Sequence, residues 1–68
     1  MTKYELQWGI LSTFAPIVNG RICSDDLEQV IAELSSKRCR YNAEFQIIRW
    51  DANNTGTVLL SLPKEDHL

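Results

Sequence analysis

The first apolar pattern in the chain has a period of two. Tyr4, Leu6, Trp8 and Ile10 alternate with Lys3, Glu5, Gln7 and Gly9, which predicts a β-strand with one buried face. Gly9, followed by Ser12 and Thr13, predicts a bulge or bend near the end of that strand. Residues 14–23 read FAPIVNGRIC. Pro16 cannot donate to a ladder, so this stretch predicts an edge strand or an irregular arm. Within it, Asn19-Gly20 predicts a tight type I′ turn, because both residues tolerate positive φ.

The period changes at Ser24. Ser24, Asp25 and Asp26 suit a helix N-cap, and with Asp25 as the cap Glu28 takes the capping-box position. Leu27, Val30, Ile31 and Leu34 follow the i, i+3, i+4, i+7 spacing of an apolar helical stripe. Glu33 and Lys37 are ordered for a favourable i, i+4 pair, and Asn42 is a natural stop. These signals predict a helix over 25–38, packed on a sheet face that includes Leu6, Trp8, Phe45 and Leu60.

Period two then returns. Residues 44–51, EFQIIRWD, are apolar in both phases, with Phe45 and Ile47 on one face and Ile48 and Trp50 on the other. Either this strand is buried on both faces or a bulge between Ile47 and Ile48 shifts the phase. Residues 51–56 have turn composition. Residues 57–62, TVLLSL, predict a last strand with Val58, Leu60 and Leu62 on one face and Leu59 on the other. Pro63 ends it, and 64–68 reads as a frayed tail. The expected architecture is one α+β domain spanning 1–68: a small antiparallel sheet of three or four strands with one helix packed on one face.

Composition narrows the function. A chain of 68 residues buries one small core and has little room for a deep cleft beside it, which counts against an enzyme. Nine acids against seven bases, a net charge of -2, count against a general nucleic-acid binder. No apolar run approaches the roughly 20 residues of a membrane span, and the N-terminus carries no apolar leader. With only Cys23 and Cys39, the expectation is a cytoplasmic protein with reduced thiols, away from the membrane.

No residue set predicts chemistry. Asp25, Asp26 and Glu28 suit the positive end of a helix dipole better than a metal. His67 is the single histidine and lies too near the C-terminus to be held as a general base. Two cysteines and one histidine fall short of four zinc ligands, and free cysteines usually serve as small buried hydrophobes. No catalytic, cofactor-binding or metal-binding residue is therefore expected.

Two sets predict contacts. Lys37, Arg38 and Arg40, beside Tyr41 and with Arg49 expected nearby, are candidate nucleic-acid contacts. Cations at a helix C-terminus are also explained by the dipole. The stronger set is Trp50 with Ile48, Arg49 and Leu59. One helix about 10 Å wide covers only part of one face of strands about 4.8 Å apart, and exposed Trp and Arg dominate binding hot spots. In size, charge and element order the chain resembles the compact proteins that phages and other mobile elements encode to bind one host protein. No motif carries that likeness. The expected function is a small non-enzymatic protein-binding module, an inhibitor or adapter with one protein partner or a second copy of itself. The alternative is a nucleic-acid-associated regulator using Lys37, Arg38 and Arg40.

Overall fold

Backbone pairing turns the alternating segments into one four-stranded antiparallel sheet. The computed structural model describes residues 2–64; of the expected tail, only Lys64 falls within it. The elements are β1 (Lys3–Ile10), β2 (Ile17–Ser24), α1 (Leu27–Arg40), β3 (Glu44–Trp50) and β4 (Gly56–Leu62). The strand order is β2-β1-β3-β4, so β1 and β3 are central and β2 and β4 are edges. This is the expected small α+β fold, with all four strands present. The crossover through α1 carries the chain from one side of β1 to the other.

β1 and β3 pair without a register shift, from Lys3 opposite Trp50 to Gly9 opposite Glu44. Alternation along β3 is therefore unbroken, and of the two sequence readings burial on both faces is the one observed. Phe45 and Ile47 face the helix; Ile48 and Trp50 face away from it. The phase shift lies on β4 instead. Leu60 pairs with Ile47 and Val58 with Ile48, leaving Leu59 as the extra residue. The expected Val58, Leu60, Leu62 face is thus split, with Val58 on the side of Ile48 and the two leucines on the helix side.

The β1–β2 hairpin corrects a turn assignment. Asn19-Gly20 lies inside β2, and the chain reverses through residues 11–16. Gly20 pairs with Trp8 and Val18 with Gly9, so Asn19 is the extra residue of a bulge. Neither Asn19 nor Gly20 takes a positive φ; Gly9 does, at 149°. Gly20 is needed for another reason: a Cβ there would lie 2.2 Å from Trp8 Cζ2. The indole lies across the glycine of an edge strand, and that packing overrides the local turn preference.

The helix starts two residues later than its sequence signals suggest and ends two later. Asp26, not Asp25, is the N-cap, and its carboxylate accepts from the Glu28 N–H at 3.0 Å. Ser24 Oγ accepts from the Asp26 N–H at 3.0 Å and tightens the entry. At the other end the Tyr41 N–H donates to the Lys37 carbonyl.

The helix lies over β1, β2 and β3 and does not reach β4. That placement decides the core. Leu6, Val30 and Phe45 are fully enclosed and Leu34 and Ile47 nearly so, with Tyr4, Trp8, Leu27, Ala43 and Leu62 packed around them. Two expected core residues fall outside it: Ile31 is 47% exposed on the flank of the helix, and Leu60 stands over uncovered β4. The four-residue stripe therefore splits energetically. Leu34→Ala is expected to cost about 2–4 kcal/mol, the usual range for a buried leucine, and Ile31→Ala about 1 kcal/mol or less. Urea titrations of the two variants check this; equal midpoint shifts would show that the helix sits differently.

Candidate binding surface

Among the described residues no second layer packs on the face of the sheet turned away from the helix, and it is covered by its own side chains. Glu5 sits at its centre, between Cys23 of β2 and Ile48 of β3. Its side chain lies down and only 5% of the residue is exposed. Trp50 Nε1 donates to Glu5 Oε1 at 3.0 Å and Gln7 Nε2 donates to the same oxygen at 3.1 Å. Gln46 Nε2 donates to Gln7 Oε1 at 2.7 Å. The exposed Arg21 guanidinium lies 3.8 Å from Glu5 Oε2. A carboxylate buried this far needs such donors, because its desolvation is otherwise uncompensated.

This network sets the pose of Trp50. Its N–H is tied to Glu5, so the ring lies over the sheet instead of standing free. The ring reaches across β4, where a Cβ on Gly56 would lie 2.9 Å from Trp50 Cζ3. Gly56 is the residue paired with Trp50, so each edge strand offers a glycine to a tryptophan of the neighbouring strand, on opposite faces. Trp50 remains half-buried, with part of the indole open to a partner.

The predicted contact set is only partly brought together. Ile48 is 8% exposed, enclosed by its neighbours on the sheet, and has almost no surface to offer. Arg49 is exposed, but it pairs with Tyr4 and Thr57 on the helix face, across the sheet from Trp50. Leu59 is exposed at the β4 bulge, next to Val58 on the Trp50 side. Trp50 and Leu59 thus remain, joined by Val58.

The basic set does not form one patch. Lys37 Nζ is 3.5 Å from a Glu33 carboxylate oxygen and 5.9 Å from the Trp8 ring centroid. Trp8 in turn stacks on Tyr41, with centroids 6.0 Å apart and planes 16° apart. Arg38 is half-buried and engaged, and Arg40 is exposed. Arg49 is not near them. It lies level with Tyr4, whereas Lys37 stands over Trp8, four residues or about 13 Å along the strand.

Exposed apolar surface extends beyond the predicted contact set, which holds only Leu59 of it. Six of the eight large hydrophobic side chains exposed among the described residues are Ile10, Phe14 and Ile17 around the β1–β2 loop and Val58, Leu59 and Leu60 on β4. The signal was available: segments 9–20 and 52–63 contain no Asp, Glu, Lys or Arg. Ile10 and Leu60 fit the buried phase of their strands by alternation, whereas Leu59 is the one of the six that the sequence places in the contact set. The β1–β2 loop is fastened at its base, where the Leu11 N–H donates to Glu44 Oε2 at 3.0 Å. The Ser12 hydroxyl and that N–H hold the Glu44 carboxyl below its ordinary pKa. This anchoring is present above the ordinary carboxylate pKa and is lost as pH falls through the lowered one.

Cys23 and Cys39 carry free thiols and both are exposed, contrary to the expectation of buried cysteines. Cys23 lies on an edge strand and Cys39 near the end of the helix, and both are exposed among the described residues. His67 lies outside the described residues. Among the described residues, no three His, Cys, Asp or Glu side chains gather as a metal site, and no helix is long and apolar enough to cross a membrane. The chain matches no protein-family model, and no curated protein or solved structure is detectably similar to it.

Proposed function

We propose that the protein is a small non-enzymatic protein-binding module, an inhibitor or adapter of the kind mobile elements encode, working in the cytoplasm. It holds its partner on Trp50 and the adjoining β4 edge. The observation that carries this reading is the uncharged β4 strand, where Val58 is exposed on the same face as a half-open tryptophan and Leu59 is exposed at the bulge next to it. Contiguous apolar surface next to an aromatic anchor is what interaction sites offer. The Glu5 carboxylate is occupied by Trp50, Gln7 and Arg21, which suits a device that positions Trp50 rather than a reacting group. The nucleic-acid alternative loses support, because Lys37 is engaged by Glu33 and Trp8 and Arg49 stands elsewhere on the sheet.

The test is capture from an extract of the cell that makes the protein, read by quantitative mass spectrometry. The wild-type chain is expected to retain one protein in near-stoichiometric amount. Trp50→Ala and Leu59→Asp, each verified as folded by circular dichroism, are expected to lower that retention at least about tenfold, as loss of a hot-spot side chain does. Equal retention by folded variants, or no stoichiometric protein at all, refutes the reading.

A further inference from the structure

We infer that β4 pairs antiparallel with β4 of a second copy, about a two-fold axis perpendicular to the sheet, joining two four-stranded sheets into one of eight strands. The inference rests on the binding-module reading and names one occupant of its β4 edge.

The two edges of the sheet differ. β2 is packed by the helix and carries Arg21. Among the described elements β4 neighbours β3 alone; the Trp50 ring lies over Gly56 at one end and Leu62 packs on the core at the other, while Val58, Leu59 and Leu60 between them are exposed. Edge strands are normally blunted by charge, proline or a bulge, because their unpaired N–H and C=O groups template another strand. The uncharged segment 52–63 contains the whole of β4, and Pro63 lies just beyond its end. Only the bulge at Leu59 remains as a guard.

The position of that bulge makes the edge self-complementary. Before it, Gly56 and Val58 lie on the open face and Thr57 on the helix face; after it, Leu60 and Leu62 lie on the helix face and Ser61 on the open face. Place the two-fold axis between Val58 and Leu59. Thr57 of one copy then meets Leu60 of the other, helix face to helix face. Gly56 meets Ser61, open face to open face. Val58 and Leu59 flank the axis. An unshifted strand would not match its faces in this register; the extra residue restores the match, and it falls on the axis where the two copies share it.

Charge agrees with this arrangement. No like-charged pair meets across β4, since the strand has no charge to oppose. Continued past the strand end, the register brings Lys64 of one copy to the 51–55 turn of the other. The Asp51 carboxylate sits there, accepting from the Asn53 and Thr55 N–H groups at 2.9 and 3.0 Å. Lys64 neighbours Glu44 of its own chain, and the register adds the Asp51 side of the other copy to its surroundings, once on each side of the axis.

A contact built on one short strand lies at the small end of specific interfaces. The dimer is therefore expected to dissociate with a Kd on the order of 10–100 µM.

Sedimentation velocity of the purified chain in reductant, from about 5 to about 500 µM, reads this directly. The mass is expected to rise from one copy to two, and amide exchange over 56–62 to slow with it. Val58→Lys and Leu60→Lys, on opposite faces and each verified as folded, are expected to weaken the dimer at least tenfold. A wild-type chain that stays monomeric throughout overturns the inference. So does a dimer that persists in both variants with β4 exchange unchanged. A monomeric chain that still captures a protein through Trp50 overturns the dimer and leaves the binding module standing; a monomeric chain that captures nothing overturns both.

Discussion

Phe45→Ala is expected to leave most of the protein unfolded under conditions where the wild type is native. Phe45 is fully buried, opposite Trp8 on one side and Leu62 on the other. Its ring lies 6.5 Å from that of Trp8, tilted by 30°. Removing a buried phenylalanine costs about 3–5 kcal/mol, part of it for the cavity left behind. At about 0.05–0.15 kcal/mol per residue, a domain of this length holds only several kcal/mol in total, and small domains sit low in that range. The core offers little to refill the space, because the helix reaches β3 from one side only and does not extend over β4. Far-UV circular dichroism with a urea titration checks this. A cooperative transition with a near-wild-type midpoint would show that Phe45 is not the centre of the core.

Gly9→Ala is expected to have the next largest effect, about 2–4 kcal/mol, from strain and from damage to the bulge. Gly9 has a φ of 149°, which side-chain-bearing residues rarely adopt. A Cβ there would lie 2.1 Å from the Ile17 carbonyl oxygen and 2.9 Å from the Asn19 nitrogen. Both are backbone atoms of the paired strand, so neither can rotate away. Relief requires moving β2 and undoing the bulge at Asn19, and with it the Trp8–Gly20 pair next in register. A thermal or urea unfolding curve within about 0.5 kcal/mol of wild type, the spread of ordinary surface substitutions, would show that the hairpin accommodates the methyl group.

Both effects arise at places the sequence marked without explaining. Gly9 was readable as a bulge or bend, because a glycine interrupts strict alternation. Its reason, the approach of the Ile17 carbonyl, belongs to the partner strand. Asn19-Gly20 shows the reverse case. Its local chemistry argues for a turn, yet the glycine is used as floor space for the Trp8 ring, a demand that comes from a neighbouring strand. Ile31 fits the helical stripe by spacing, but a stripe gives the apolar side of a helix without its width of contact. How far the helix reaches across the sheet decides that, and here it stops short of β4.

The candidate surface divides in the same way. That β3 is apolar on both faces is a property of EFQIIRWD alone, and so is the need to cover Ile48. What covers it depends on contacts distant in sequence: Glu5 takes the Trp50 N–H across 45 positions, and Gly56 makes room for the ring. The order of the strands is likewise invisible to local pattern, because period two marks a strand without saying which strand lies beside it. Alternation and spacing are set by a residue and its near neighbours, so the sequence by itself determined the element types, the two-sided character of β3 and the absence of charge along β4. Edges, coverage and the pose of Trp50 depend on which segments meet, and only the tertiary structure decided them.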